Sequence, residues 1–353
     1  MAKRTTHKSV YTKAHRVMIL VTGSTGLVGS HLLFELAKES QAVRALYRSK
    51  AGIESVKKLF AVYAPNSTEL FNSIEWVACD ITDYQSVCNA LVGVKTVYHC
   101  AAMVSFNPKN AEEMIFNNVQ GTANVVDASI AVGIEGFCHI SSIAALGDEN
   151  ASGVVDETCG MGKLKRRSAY SRSKFFSENE VWRGVEMGLH ATIVNPSVII
   201  GPGSWSSGSG LLFSTVSKGF PFYTLGISGY VDVRDVAAAT IQLTKLKKWG
   251  NRYVLNSENL SHRAVFSAIA SELNKKQPHI HVKPWMALSV VPFAWIVSRI
   301  TGKQPLLTRD TAKSGHSITY YSSKKITDEL SFTFTPVKDA IKHTAKIFKS
   351  GLL

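Results

Sequence analysis

The chain has 353 residues, 45% of them hydrophobic and only 19% charged, a composition that excludes a disordered protein, a collagen-like chain and a disulfide scaffold. Its 40 Lys and Arg against 26 Asp and Glu give a formal net charge of +14, but unevenly: residues 1–17 carry +5, residues 245–353 carry +12 and residues 18–244 carry −3. A charge that suggests a nucleic-acid or membrane partner therefore belongs to the two ends, and no nucleic-acid partner is expected.

In chain order, residues 1–17 read as a basic, disordered tail or as sequence upstream of the true start. They lack the apolar core and small-residue cleavage site of a secretory signal. Met18–Thr22 reads as a buried strand and 27–39 as a helix. Further strands are expected at Ala42–Tyr47, Ile74–Cys79, Thr96–Cys100, Phe137–Ser141 and Thr192–Ile200, with helices over 110–132 and 170–188. Short apolar strands alternating with helices predict α/β architecture: a Rossmann-type, doubly wound parallel sheet covered on both faces. The expected division is a dinucleotide-binding domain over 18–200 and, over 201–353, a smaller C-terminal substrate-binding lobe with segments returning to the sheet. Within that lobe, Pro284–Ser298 is uncharged but falls short of the roughly 20 apolar residues that span a bilayer, and Pro292 interrupts it. It reads as a buried helix pair, with peripheral membrane contact the lesser reading.

Cys79, Cys88, Cys100, Cys138 and Cys159 are odd in number and form no C-x-x-C pair. Buried free thiols in a reducing, cytoplasmic compartment are expected, and no metal site, since zinc needs ligand pairs at short spacing.

Thr22-Gly-Ser-Thr-Gly-Leu-Val-Gly29 follows the first strand and opens the first helix. Gly23 permits the tight turn, Gly26 lets backbone approach a pyrophosphate, and Gly29 lets helix and strand pack closely. The phosphates would sit on the helix N-terminus beside Thr25, Leu27 and Val28. An NAD-binding fold usually places Asp or Glu near the end of the second strand; here that strand ends Tyr47-Arg48-Ser-Lys50. Arg48 can pair with a 2′-phosphate, or it is a solvated arginine at a strand end. The pattern favours NADP(H) over NAD(H). Asp80-Ile81 is placed to meet an adenine edge, unless Asp80 caps the next helix, a role Asp83 could equally serve.

Tyr170-Ser-Arg-Ser-Lys174 opens a helical segment, and its Tyr and Lys share one face. A phenol with pKa near 10 is a poor proton carrier at neutral pH unless a cation lowers it, and Lys174 is the expected cation. Ser142, at the end of the fifth strand, is placed to orient a reacting oxygen.

With these motifs the chain resembles an extended member of the short-chain dehydrogenase/reductase superfamily, the NAD(P)-dependent epimerase/dehydratase group. Also similar are His99-Cys-Ala-Ala102, Asn118-Val-Gln-Gly-Thr122, Asn195–Pro202 and Tyr230–Asp235. The resemblance implies that Tyr170 is the general acid/base, Lys174 lowers its pKa and Ser142 orients the substrate. It puts Asn118 near the site in a structural or catalytic role, Pro196, Ser197 and Val198 against the nicotinamide, and Ala101 and Ala102 in the cofactor groove. It also implies a homodimer through the helices near 110–132 and 170–188. The nearer resemblance is to the dihydroflavonol-4-reductase-like and 3β-hydroxysteroid-dehydrogenase-like branch, through VRALYR, SSIAALG and YSRSKFFSE. Leu146-Gly147, where sugar-nucleotide epimerases often have Tyr, and the missing acidic ribose ligand both count against an epimerase.

Met103, Val104, Phe106, Trp205, Phe222 and Tyr223 could wall a pocket for a flat or apolar carbonyl compound. The expected function is ketone/alcohol interconversion with NADP(H). The alternatives are an NAD-dependent nucleotide-sugar epimerase or dehydratase, and a dinucleotide-sensing protein without chemistry.

Overall fold

The computed structural model describes residues 17–164, 167–301 and 308–353. The basic segment 1–17 therefore lies, except for Val17, outside the described residues. The first half alternates strand and helix: β1 (Met18–Thr22), α1 (Leu27–Lys38), β2 (Ala42–Tyr47), α2 (Lys50–Tyr63), α3 (Ser67–Asn72), β3 (Ile74–Ala78), α4 (Tyr84–Ala90), β4 (Val94–His99), α5 (Ala111–Val132), β5 (Gly136–Ile140), α6 (Ala169–Glu186) and β6 (Ala191–Pro196). Then come β7 (Val198–Ile200), α7 (Gly210–Ser217), β8 (Phe222–Tyr223), β9 (Ile227–Asp232), α8 (Val233–Lys245), β10 (Asn251–Leu255), β11 (Glu258–Ser261), α9 (His262–Glu272) and β12 (Ile280–His281). The chain ends with α10 (Pro284–Thr301), α11 (Arg309–Ser314), α12 (Lys324–Leu330) and α13 (Val337–Ser350).

Seven strands form one parallel sheet in the order β10-β6-β5-β4-β1-β2-β3. Both faces are covered, which is why its strands read as apolar runs rather than as alternation. Leu32, Leu33 and Phe34 of α1, Phe60 of α2 and Val236 of α8 fill one face. Val87 of α4, Val125 and Val126 of α5 and Val181 of α6 fill the other. Strand order reverses between β1 and β4, so a crevice opens at their carboxyl ends, where open α/β sheets take their ligands. A third core gathers Ile200, Phe213, Tyr230, Ile269 and Ile341 from β7, α7, β9, α9 and α13.

The expected strand over 192–200 is two. β6 stays in the main sheet and pairs with β5 and β10, whereas β7 pairs with β9 in a three-stranded sheet of order β11-β9-β7. Ser197 is the hinge between them, its N–H donating to the Leu255 carbonyl (2.9 Å). Asn195-Pro-Ser197 interrupts the β-branched run at this point, but a local break does not reveal that the two halves pair with different sheets.

The expectation of a buried helix pair over 284–298 is also corrected. Residues 284–301 form the single helix α10 with Pro292 inside it, and Trp285, Leu288, Val290 and Phe293 are exposed. Apolar composition predicts burial only where another element covers the face, and among the side chains described over 284–293 Ala287 alone is buried. Among the described residues no helix is long and apolar enough to cross a membrane.

Candidate active site

The glycine loop sits at the crevice between β1 and β4. Gly23 has φ of +61°, and a Cβ on it would lie 2.5 Å from the Ala101 nitrogen. A Cβ on Gly29 would lie 2.3 Å from the Gly23 carbonyl oxygen, so α1 can start this close to β1 only with glycine there. The Ser24 hydroxyl donates to the Leu46 carbonyl (2.6 Å), tying the loop to β2.

Beneath the loop a buried chain of hydrogen bonds joins β1, β4 and α5. Thr22 Oγ1 accepts from the Ala101 N–H (3.1 Å) and lies 2.8 Å from His99 Nδ1; His99 Nε2 lies 3.0 Å from Thr122 Oγ1, which donates to the Asn118 carbonyl (2.7 Å). Because Thr122 spends its proton on Asn118, the His99 ring must carry its hydrogen on Nε2 and accept from Thr22 at Nδ1. Burial, and then Lys174, lower the His99 pKa to about 3, so the ring stays neutral.

Between the loop and the ends of β2 and β3 lies a cavity of about 340 Å³. Gly23, Thr25, Gly26, Arg48, Asp80, Ile81, Ala101, Ala102, Met103 and Asn118 line it, together with Tyr47 and Ser49, which the motif reading did not single out. A second cavity of about 300 Å³ shares Thr25 and Gly26, adds Leu27, and runs under the 201–210 loop. Val28 is buried behind the loop. Arg48 is exposed and makes no ion pair among the described residues. Asp83, not Asp80, caps α4, accepting from the Gln85 N–H (3.1 Å). Asp80 accepts from the Thr82 N–H and hydroxyl, and these bonds, with the Arg48 charge adding to them, hold its carboxyl below the usual range.

The donor set fits a dinucleotide. Backbone approaches where no Cβ intervenes, an unpaired guanidinium stands at one end of the cavity, and Ser197 Oγ is buried without a partner between β6 and β7. Asn118, by contrast, is committed. Its side-chain oxygen accepts from the Met103 N–H (2.7 Å), and its amide donates to the Met103 carbonyl (2.9 Å) and Ser173 Oγ (3.2 Å). It is a brace between α5, α6 and the loop after β4.

Tyr170 lies in the first turn of α6, whose N-cap Ser168 accepts from the Ser171 N–H (3.1 Å). The helix N-terminus favours negative charge there. Burial raises the phenol's pKa above the ordinary value, and Ser142, two residues past the end of β5, acts in the opposite direction. The Phe106 ring meets the Tyr170 ring edge-on, with centroids 5.7 Å apart.

Lys174, the other half of the Tyr-Lys pair, is anchored on the backbone of β5. Its ammonium, one turn deeper and buried, donates to the Ile140 carbonyl (3.0 Å). Burial lowers its pKa to about 8, with Glu178 and Cys100 opposing. Glu178, a further turn along the same face, is also buried. It accepts from the Asn195 amide and pairs with Arg252 (3.4 Å), while burial raises its pKa. Glu178 was not singled out, although its spacing of four from Lys174 is the sequence signal that marks it.

The native Lys174 pKa lies below its usual 10.5, so between about pH 8 and 10.5 the unfolded chain binds more protons than the native one. Stability from this group therefore rises as pH climbs through that window, by about 3 kcal/mol across it. Chemical denaturation of wild type and Lys174→Met at pH values on either side should show this increment in wild type alone.

The other suggested pocket residues separate. Met103 lines the cofactor-sized cavity and Phe106 meets Tyr170, whereas Trp205 packs edge-on against Phe348 of α13 and donates to the Leu353 carbonyl (3.1 Å). Tyr223 stacks on His281, with Arg263 over its ring, away from the phenol's neighbours. Trp205 thus packs on the third core while lining the second cavity with Thr25, Gly26 and Leu27, and Tyr223 belongs to the β8–β12 ladder. Gly147 is the tightest glycine, since a Cβ on it would lie 1.3 Å from the Gly160 carbonyl oxygen. Gly147→Ala should cost about 3 kcal/mol or more in chemical denaturation. Gly160→Ala, whose Cβ would meet nothing within 4 Å, should be close to neutral.

Comparison with known proteins agrees with this geometry. The sequence pattern of the NAD dependent epimerase/dehydratase family matches residues 19–255. The chain is 28% identical, over 94% of both chains, to a Synechocystis protein named "Putative dihydroflavonol 4-reductase". It is 26% identical to cinnamoyl-CoA reductase 1 of Petunia hybrida, over 93% of this chain and 91% of that one. Among solved structures, gox2253 superposes with a TM-score of 0.76 at 27% identity, covering 95% of this chain and 99% of that one. The chain therefore belongs to the NAD dependent epimerase/dehydratase family and is an NAD(P)-dependent oxidoreductase with a Rossmann-type fold.

Proposed function

We propose that this protein is an NADP(H)-dependent carbonyl reductase, interconverting a ketone and a secondary alcohol with Tyr170 as general acid/base. The observation that carries the reading is the Tyr170 phenol set beside Ser142 and Phe106, one helical turn from the buried ammonium of Lys174. In reduction the carbonyl oxygen must gain a proton, and the phenol is the group placed to give it. Relatives named as reductases support the same direction.

When bound, the nicotinamide supplies the hydride. Ser142 orients the carbonyl oxygen and Tyr170 gives it a proton. Lys174, held near pKa 8 and anchored on Ile140, holds the ribose and passes on the proton that restores Tyr170. Arg48 holds the 2′-phosphate, Asp80 and Ile81 the adenine edge, and Pro196, Ser197 and Val198 the nicotinamide face. Met103 and Phe106 wall the substrate, and the lobe over 201–353, built on the third core, closes over it. A homodimer through α5 and α6 would cover the exposed Phe116. The five cysteines form no disulfide, which suits a cytoplasmic enzyme.

Purified protein mixed with NADPH and a panel of aryl and alicyclic ketones should consume cofactor and yield secondary alcohols. Tightly retained NAD, with epimerisation of a nucleotide sugar and no net cofactor change, would refute the proposal.

A further inference from the structure

We propose that the outward face of α10 is a docking surface for an anionic membrane, lying flat in the headgroup zone rather than crossing it. Trp285, Leu288 and Phe293 are 67%, 51% and 69% exposed, and with Pro292 they recur at spacings that form one helical stripe. Val290, 50% exposed, widens it, while Ala287 on the opposite side packs onto the body of the protein. Single exposed apolar side chains are ordinary, but a contiguous stripe containing Trp and Phe marks an interaction surface. The two-residue ladder of β8 and β12, which precedes α10 in the chain, also leaves Phe222 and Ile280 exposed.

Charge selects the occupant. Residues 273–314 carry seven Lys or Arg and one acid, Asp310. Lys283, next to the start of α10, and Arg309 and Lys313 of α11, which packs on α10, are exposed. An apolar stripe set in a net positive field is complementary to acidic lipid headgroups, which attract each Lys or Arg held near them. The same charge opposes a second copy of this chain, because pairing two such faces would bring like charges together. Residues 18–244 carry a net −3 and add no such attraction, so the basic segment around α10 is the part that would meet the lipid.

The full chain should cosediment with phosphatidylcholine vesicles containing phosphatidylserine, and far more weakly with phosphatidylcholine alone, with binding falling as salt rises. Trp285→Ser/Phe293→Ser should weaken vesicle binding at least about tenfold while leaving NADPH affinity unchanged, since neither residue lines the cofactor cavities. Three results would overturn the proposal. Wild type could fail to bind acidic vesicles at low salt, or the double variant could bind them as well as wild type. Light scattering could instead show a wild-type dimer that this variant dissociates, meaning that a second copy covers the face. Because the readout is vesicle binding, the proposal stands or falls separately from the reductase reading.

Discussion

Tyr170→Phe is expected to lower carbonyl reduction about 10³-fold, the scale on which a positioned general acid acts, while leaving NADPH affinity and stability unchanged. Phe fills the same volume and keeps the edge-on contact with Phe106, so what is lost is the hydroxyl alone. Ser142→Ala should lower kcat as well, and it also removes the hydroxyl that accepts from the Ala144 N–H (3.1 Å), so the phenol is the cleaner test. Steady-state kinetics and cofactor titration on the same preparation check the pair of outcomes. A variant that retains turnover would show that the phenol carries no proton in the reaction, whereas a wild type that binds NADPH but turns over no carbonyl would favour a dinucleotide-sensing role.

The second large effect is on cofactor choice. Arg48→Asp should weaken NADPH binding about 100-fold, the loss of charge-assisted bonds to one phosphate, and should improve NADH binding by offering a carboxylate to the ribose hydroxyls. The exchange is local. Arg48 is exposed and pairs with no carboxylate among the described residues, unlike Arg44, which is held by Glu75 (3.0 Å) and by the Ala90 and Val92 carbonyls. Fluorescence titration with both cofactors gives the ratio directly. A wild type that prefers NADH would overturn the choice of NADP(H) and favour epimerase chemistry.

Much of this architecture is legible in the residues. The glycine spacing, the apolar strands and the Tyr-Lys pair each reflect a local constraint: a turn, burial on both faces, a helical period. The start of α6 just before Tyr170 is equally local, because Ser168 caps it. Other features depend on partners distant in the chain. That Asn118 is spent on the Met103 backbone, and that Trp205 closes on the C-terminal helix, follows from contacts 15 and 148 residues apart. The fork at Ser197 likewise depends on β9 and β10, which arrive later. The Lys174 position shows the same limit. Helical spacing puts it on the face of Tyr170 and beside Glu178, but its reach to Ile140 is set by how α6 lies over β5 and β6. The exposure of α10 is the clearest case, since composition cannot say whether a neighbour covers an apolar helix.

The central claim is that the cavity beside the glycine loop delivers hydride to a carbonyl that Tyr170 protonates. Single-turnover reduction with NADPH deuterated at the reactive nicotinamide carbon tests it most directly. The label should appear on the carbinol carbon of the alcohol with wild type, and its transfer should slow about 10³-fold with Tyr170→Phe. Transfer at the wild-type rate by Tyr170→Phe, or an alcohol formed without the label, would contradict it.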